Sequence, residues 1–103
     1  MRKYDIVVVG GGASGLLAAG KAAKDGSKVL LIEKMNRLGR KLLITGKGRC
    51  NITNNSPRSE HFKHIFPTPS FLKHSYGVFF NNDIVNLLSD LGVDTVVERG
   101  ERV

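Results

Sequence analysis

The chain has no tryptophan, one cysteine and three prolines among its 103 residues. A lone cysteine, Cys50, excludes an internal disulfide and a multi-cysteine zinc site. Long hydrophobic runs are also missing. The apolar stretches Ile6 to Val9 and Val29 to Ile32 are far too short to span a bilayer. Met1-Arg2-Lys3 ahead of the first stretch imitates a signal peptide only faintly. Asp5 interrupts its start, and Gly10-Gly11-Gly12 ends it too early for an h-region. The expected compartment is therefore the cytoplasm, with no membrane association. Without a secretory signal, the sequons Asn51-Ile52-Thr53 and Asn54-Asn55-Ser56 read as chance matches. Glycine is plentiful at 12, but no repeat accompanies it, so collagen-like and low-complexity classes are excluded.

Carboxylates are scarce in one particular place. Residues 34–75 hold nine Lys and Arg against a single acidic residue, Glu60. Residues 1–33 hold five basic and three acidic side chains, and residues 76–103 two and five. The formal charge of +7 thus comes from the middle of the chain. Such a block attracts phosphate, whether in nucleic acid, a nucleotide or a membrane surface. The length supports one domain at most, with a modest core.

What is present begins with Tyr4 to Val9, a β-branched run suited to a strand buried on both faces of a parallel sheet. Gly10-Gly11-Gly12-Ala13-Ser14-Gly15 follows, and then Leu16, Leu17, Ala18, Ala19, Ala22 and Ala23 form a small-residue helix. Gly26 stands at its C-cap. Val29 to Ile32 makes a second buried strand, closed by Glu33. Strand, glycine turn, helix and strand open a βαβ unit. Residues 34–58 read as an extended loop, with a single helical turn over Lys41 to Ile44. Phe62, Ile65 and Phe66 suggest a short helix before Pro67, and Phe71, Leu72 and Tyr76 another after Pro69. Asn81 or Asn82 is the expected N-cap of a further helix, with Asp83 in its first turn. Ile84, Leu87, Leu88 and Leu91 recur at helical spacing, Gly92 ends the helix, and Val93 to Glu98 alternates like a strand.

The glycine turn carries its chemistry in the backbone. Gly10 permits the tight turn, Gly12 lets a pyrophosphate approach the main chain, and Gly15 lets helix and strand pack closely. Free N–H groups and the positive end of the helix then hold the phosphates. Alone, the GxGxxG pattern is weak. Here it follows a strand, opens a helix, and is joined by Glu33, whose carboxylate can accept hydrogen bonds from both ribose hydroxyls and would repel a 2′-phosphate. A P-loop is disfavoured, since Leu16-Leu17 stand where Lys-Ser/Thr should follow Gly15. The spacing serves NAD and the ADP half of FAD alike.

The segment after Glu33 bears on that choice. Residues 34–54 hold six cations and no carboxylate, with glycines flanking a short apolar stretch, and could wrap a polyanion. Val9 to Leu16, Glu33-Lys34, Gly39-Arg40-Lys41-Leu42-Leu43-Ile44 and Gly46-Lys47-Gly48-Arg49-Cys50-Asn51-Ile52-Thr53-Asn54 together resemble the start of the aminoacetone oxidase or BaiN-like flavoproteins. These are NAD(P)/FAD-dependent oxidoreductases with a glutathione-reductase-type FAD domain. The resemblance covers essentially the whole chain and is strongest over residues 4–54.

That resemblance implies an α/β, Rossmann-like FAD-binding domain, its parallel sheet opened by the βαβ unit and incomplete here. Residues 1–33 would be the dinucleotide-binding unit, 34–58 a basic cofactor loop, and 59–103 a helical segment and strand. Gly10, Gly12, Ala13, Ser14 and Gly15 would receive the FAD pyrophosphate. Glu33 would bind the adenosine ribose, with Lys34 on the adenine side. Arg40 and Lys41 would follow the cofactor, while Gly46, Gly48, Arg49, Cys50 and Asn51 would lie towards the flavin. NAD(P)H is the electron donor the resemblance suggests for the full-length enzyme. Lys47 departs from the family, whose members often carry a small residue there. Length is the larger departure, since family members run to about four hundred residues.

No residue is an obvious general base. His61, His64 and His74 lack a carboxylate cluster or third ligand, so no metal is expected. The Phe residues between 62 and 80 read as core rather than a base-stacking platform. Two other functions compete with a flavoprotein: an NAD-binding Rossmann domain, and a small basic nucleic-acid-binding module. The first leaves the Gly-Arg-Cys-Asn loop without a role, and the second is at odds with the fold signals. The expectation is an N-terminal piece of a flavin-dependent oxidoreductase. Its partners would be the rest of its own chain and a small molecule, not nucleic acid. Expressed alone, the piece would bind FAD weakly and turn nothing over.

Overall fold

A computed structural model describes all 103 residues, which fall into two compact units, Met1–Cys50 and Asn51–Val103. The first is the α/β unit. Its branched residues form β1 (Ile6–Val9) and β2 (Val29–Ile32), paired in parallel from Ile6 opposite Val29 to Val9 opposite Ile32. The pairing continues past the strands, Gly10 N–H donating to Ile32 O at 2.7 Å and Asp5 N–H to Lys28 O at 2.8 Å. Adjacent parallel strands need a crossover. The helix α1 (Ala13–Lys24) supplies it and packs on both strands. Its small residues allow the close approach, and Ala19 is buried in the contact.

The end of α1 is fixed by Gly26 at φ +99°, a left-handed position that suits glycine. There Gly26 N–H donates to Ala23 O and Ser27 N–H to Ala22 O, both at 3.0 Å, the paired bonds of a Schellman motif. Lys21 and Lys24 in the last turn complement the helix dipole. Beyond β2 the chain forms α2 (Arg40–Ile44) and a tight turn over Thr45–Gly48. Parallel sheets are ordinarily covered on both faces. Here Val7 and Val9 are 53% and 81% exposed, and the sheet holds only two strands. The Rossmann sheet is thus incomplete within these residues.

The second unit is mostly helical: α3 (Arg58–Lys63), a 3-10 turn over Pro69–Leu72, α4 (Lys73–Val78) and α5 (Asn81–Asp90). Its interior is aromatic. Tyr76 lies 5.0 Å from Phe80 and stacks on Phe62 at 5.8 Å, and His61 meets Phe80 edge-on at 4.7 Å. Phe62 and Phe80 are half-buried in this cluster, whereas Phe66 and Phe71, expected in the core, are each 82% exposed. The last residues return to the first ones of this unit. Asn54 and Arg102 form an antiparallel bridge, and Ile52 N–H donates to Val103 O at 2.7 Å. No helix in either unit is long and apolar enough to cross a membrane.

Besides the exposed faces of Val7, Val9, Phe66 and Phe71, where burial was expected, three element assignments differ from the sequence reading. Val93–Glu98 is not a strand. Its alternating pattern lacks a neighbouring strand to bond, and the sole sheet contains only β1 and β2. The helix expected around Phe62 to Phe66 starts earlier, at Arg58 after Pro57, and ends at Lys63. In α5 the cap falls at Phe80, before both expected positions, Asn81 and Asn82, and the Phe80 N–H donates to Asp83 Oδ2 at 2.7 Å. The Asn81 side chain is engaged elsewhere, donating to the carbonyls of Asn54 and Ser56 at 2.9 and 3.0 Å. Gly92 does end α5, at φ +83°, with Val93 N–H donating to Leu88 O at 2.8 Å.

Candidate cofactor-binding site

Gly12 is the N-cap of α1, in extended conformation at φ −84° and ψ −165°. Leu16 N–H makes the first helical bond, to Gly12 O at 2.9 Å. The N–H groups of Ala13, Ser14 and Gly15 precede it and have no acceptor within the helix. No side chain caps this end, and no acidic residue occupies the first turn. The helix N-terminus is left open to an anion. Space is available as well, because a Cβ placed on Gly12 would meet nothing within 4 Å.

The other two motif glycines serve the turn itself. Gly10 sits at φ +103°. A Cβ on Gly15 would lie deep inside van der Waals contact with Gly10 O and 3.0 Å from Gly10 C. Gly10, Gly12, Ala13, Ser14 and Gly15 are thus gathered at one β-to-α junction.

Glu33, directly after β2, reaches back to that junction. Its Oε1 accepts from Gly11 N–H at 2.9 Å, and its Oε2 from Met35 N–H at 2.7 Å. The Met35 N–H, then the Gly11 N–H and more weakly the Lys34 charge, hold this carboxyl below its ordinary value, outweighing a small desolvation effect. An ionised carboxylate offers about four lone-pair positions, so two backbone bonds leave Glu33 able to accept from a diol.

Gly11 carries more of the geometry than its place in the motif suggests. It is buried, donates to Glu33, and accepts from Gly39 N–H at 2.7 Å. A Cβ on it would run into Leu38 Cδ2 and lie 3.4 Å from Glu33 Cβ. Sequence reasoning missed Gly11, Met35, Leu38 and Gly39. Gly11 occupies a position where the motif accepts any residue, and its three-glycine run was the one available hint.

The cations follow. Lys34, Arg37 and Arg40 line an open cleft of about 700 Å³ together with Met35, Leu43 and Ile44. Lys41 is exposed on α2. Next comes a turn with Gly46, Lys47, Gly48 and Cys50 at φ +62°, +53°, +87° and +55°. Its backbone bonds include Arg49 N–H to Gly46 O at 3.0 Å and Cys50 N–H to Thr45 O at 3.1 Å. The left-handed conformation costs a residue with a Cβ about 1–2 kcal/mol, so glycine would sit more easily at this position than Lys47. Cys50 is half-buried with a free thiol. Asn51 opens the second unit.

An open helix N-terminus behind a glycine turn, with a carboxylate at the end of the adjacent strand, is an arrangement suited to a dinucleotide. The fold and the junction define a Rossmann-type dinucleotide-binding unit. More specifically, the chain belongs to the HI0933-like protein Rossmann domain family, which matches residues 4–103. It is 33% identical over 93 residues to the ribosomal RNA dihydrouridine synthase of Escherichia coli K12, covering 90% of this chain and 23% of that protein. It is 35% identical over 92 residues to the 3-dehydro-bile acid delta(4,6)-reductase of Clostridium scindens, covering 87% and 22%. A shorter match, 55% over 40 residues, joins 38% of this chain to 8% of glutathione reductase from Debaryomyces hansenii. The chain spans less than a quarter of the length of these relatives.

Proposed function

We propose that this chain is the FAD-binding N-terminal segment of a flavin-dependent oxidoreductase of the aminoacetone oxidase or BaiN-like type. The observation that carries the reading is the uncapped N-terminus of α1 behind the glycine turn, with Glu33 beside it. The N–H groups of Ala13, Ser14 and Gly15 hold the pyrophosphate, Gly10 makes the turn, and Gly12 keeps the approach clear. Glu33 accepts from the ribose hydroxyls. Lys34 stands on the adenine side, and Arg40 and Lys41 screen the phosphate charge. Gly46, Gly48, Arg49 and Cys50 lie towards the isoalloxazine ring. When bound, the flavin supplies hydride transfer, with NAD(P)H as the electron donor of the full-length enzyme.

The competing nucleotide is NAD, which the Glu33 carboxylate also accommodates. Titration of the full-length gene product with both separates the two. FAD is expected to bind at least ~100-fold more tightly, a difference of about 2.7 kcal/mol, and tighter binding of NAD would reverse the assignment.

A second reading concerns the substrate. The substrate expected from the resemblance is a small molecule. The nine-to-one excess of cations over residues 34–75, together with a relative named for ribosomal RNA, favours an RNA substrate for the full-length enzyme instead. RNA affinity that falls steeply with salt supports this reading, and none at low salt removes it.

A further inference from the structure

Three constraints converge on Gly11. Its N–H is held by Glu33 Oε1 at 2.9 Å, its carbonyl by Gly39 N–H at 2.7 Å, and its Cα face is covered by Leu38. The first residue after Glu33 to be pinned is Met35, bonded to Oε2 of the same carboxylate at 2.7 Å. The stretch 33–39 is therefore tied at both ends to the turn that opens α1. Gly39 is buried, sits at φ +62°, and passes directly into Arg40 at the start of α2. One peptide unit spans about 3.8 Å, so the tie at Gly39 fixes where α2, with Arg40 and Lys41, begins.

We propose that Gly11 and Gly39 are positioning residues that latch this segment onto the glycine turn, with Leu38 only packed over the bare Cα of Gly11, so that one preformed unit meets the pyrophosphate. The inference rests on the flavin reading above. The turn supplies neutral N–H donors, and Arg37, Arg40 and Lys41 supply charge. Two groups of donors on separate pieces of backbone bind one anion tightly only if their spacing is set beforehand. Without the latch, the ordering cost would fall on the binding step. Gly11 is the residue that makes the spacing short. It is not among the glycines with positive φ, so alanine is excluded by lack of space rather than by backbone conformation.

That distinction supplies the test. In the full-length gene product, Gly11→Ala drives Leu38 from its place and displaces the segment. The double variant Gly11→Ala/Leu38→Ala removes the obstruction while leaving the Glu33 and Gly39 bonds free to form. FAD dissociation constants are read by fluorescence quenching over a range of salt, and apoprotein melting is recorded beside them. Gly11→Ala is expected to weaken FAD by at least ~10-fold and to flatten the salt dependence, because fewer cations engage the ligand. The double variant is expected to return to within ~3-fold of wild type, with its salt dependence restored. A Gly11→Ala protein that binds FAD like wild type overturns the latch. So does a double variant as weak as the single one, or a weakened single variant whose salt dependence is unchanged. Wild-type protein that takes up no FAD overturns the functional reading and the latch with it.

Discussion

Gly15 and Gly20 lie in the same helix, five residues apart, and the same substitution is expected to act on them with opposite sign. A methyl group at Gly15 would collide with the carbonyl of Gly10 and sit 3.0 Å from its carbon. Both obstacles are backbone, so no rotamer change relieves them. Strand end and helix start must part by about 1 Å or more to recover ordinary contact. Overpacking in tight sites costs about 1–3 kcal/mol, and a clash with main chain belongs at the upper end, near 3 kcal/mol. A domain holds only about 5–15 kcal/mol in total, so Gly15→Ala removes a large share. Gly20 is exposed, and a Cβ there meets nothing within 4 Å. Gly20→Ala should stabilise by about 0.8–1 kcal/mol through helix propensity. Urea unfolding of the two apoproteins, compared with wild type at constant m, measures both. Loss of less than ~1 kcal/mol in Gly15→Ala, or changes of the same sign, would refute the packing argument.

Gly12→Ala, by contrast, has room and a backbone conformation open to alanine, so stability should stay within about 1 kcal/mol of wild type. On the proposed binding mode its methyl would obstruct the pyrophosphate, and FAD affinity should fall by more than ~10-fold in a titration. Glu33 has its carboxyl lowered from the ordinary value of 4.5 by its backbone partners. Its contribution to stability is therefore complete above that value and disappears as pH falls through the lower folded-state value. Melting curves from pH 7 to 3 should show this acid-side loss in wild type and a smaller one in Glu33→Gln, and parallel profiles would count against the bonds to Gly11 and Met35. Only Ala19 and Val103 are buried among the apolar residues, and Val9 is 81% exposed. The 103-residue chain expressed alone should consequently bind a hydrophobic dye, melt without a sharp transition and retain little flavin; a sharp melt with stoichiometric FAD would show the opposite.

Elements whose ends are set locally were legible in the sequence. β1, α1 and β2 follow from branched runs, a glycine turn and Gly26, and all three form where expected. The body of α5 follows from the spacing of Ile84, Leu87, Leu88 and Leu91, and its end from Gly92. What depends on distant partners was not legible. Val93–Glu98 alternates correctly, yet a strand needs a neighbour that no local pattern guarantees. Asn81 looks like a cap, but its amide serves carbonyls 25 and 27 residues earlier, and Asp83 performs the capping. At the site, the motif pointed to Gly10, Gly12 and Gly15 because each role is a property of a strand–turn–helix junction. Gly11, Leu38 and Gly39 were invisible because their role is created by a contact between segments. The two oxygens of Glu33 were legible as acceptors, though not as acceptors already holding two backbone amides.

The central claim is that the open N-terminus of α1 receives the pyrophosphate of FAD. It is tested most directly by the visible absorption spectrum and flavin content of the purified full-length gene product. The account predicts a yellow protein with flavin bands and one FAD released per chain on denaturation, and a nearly colourless Gly12→Ala variant with wild-type stability. A colourless wild-type protein that takes up no added FAD would contradict it.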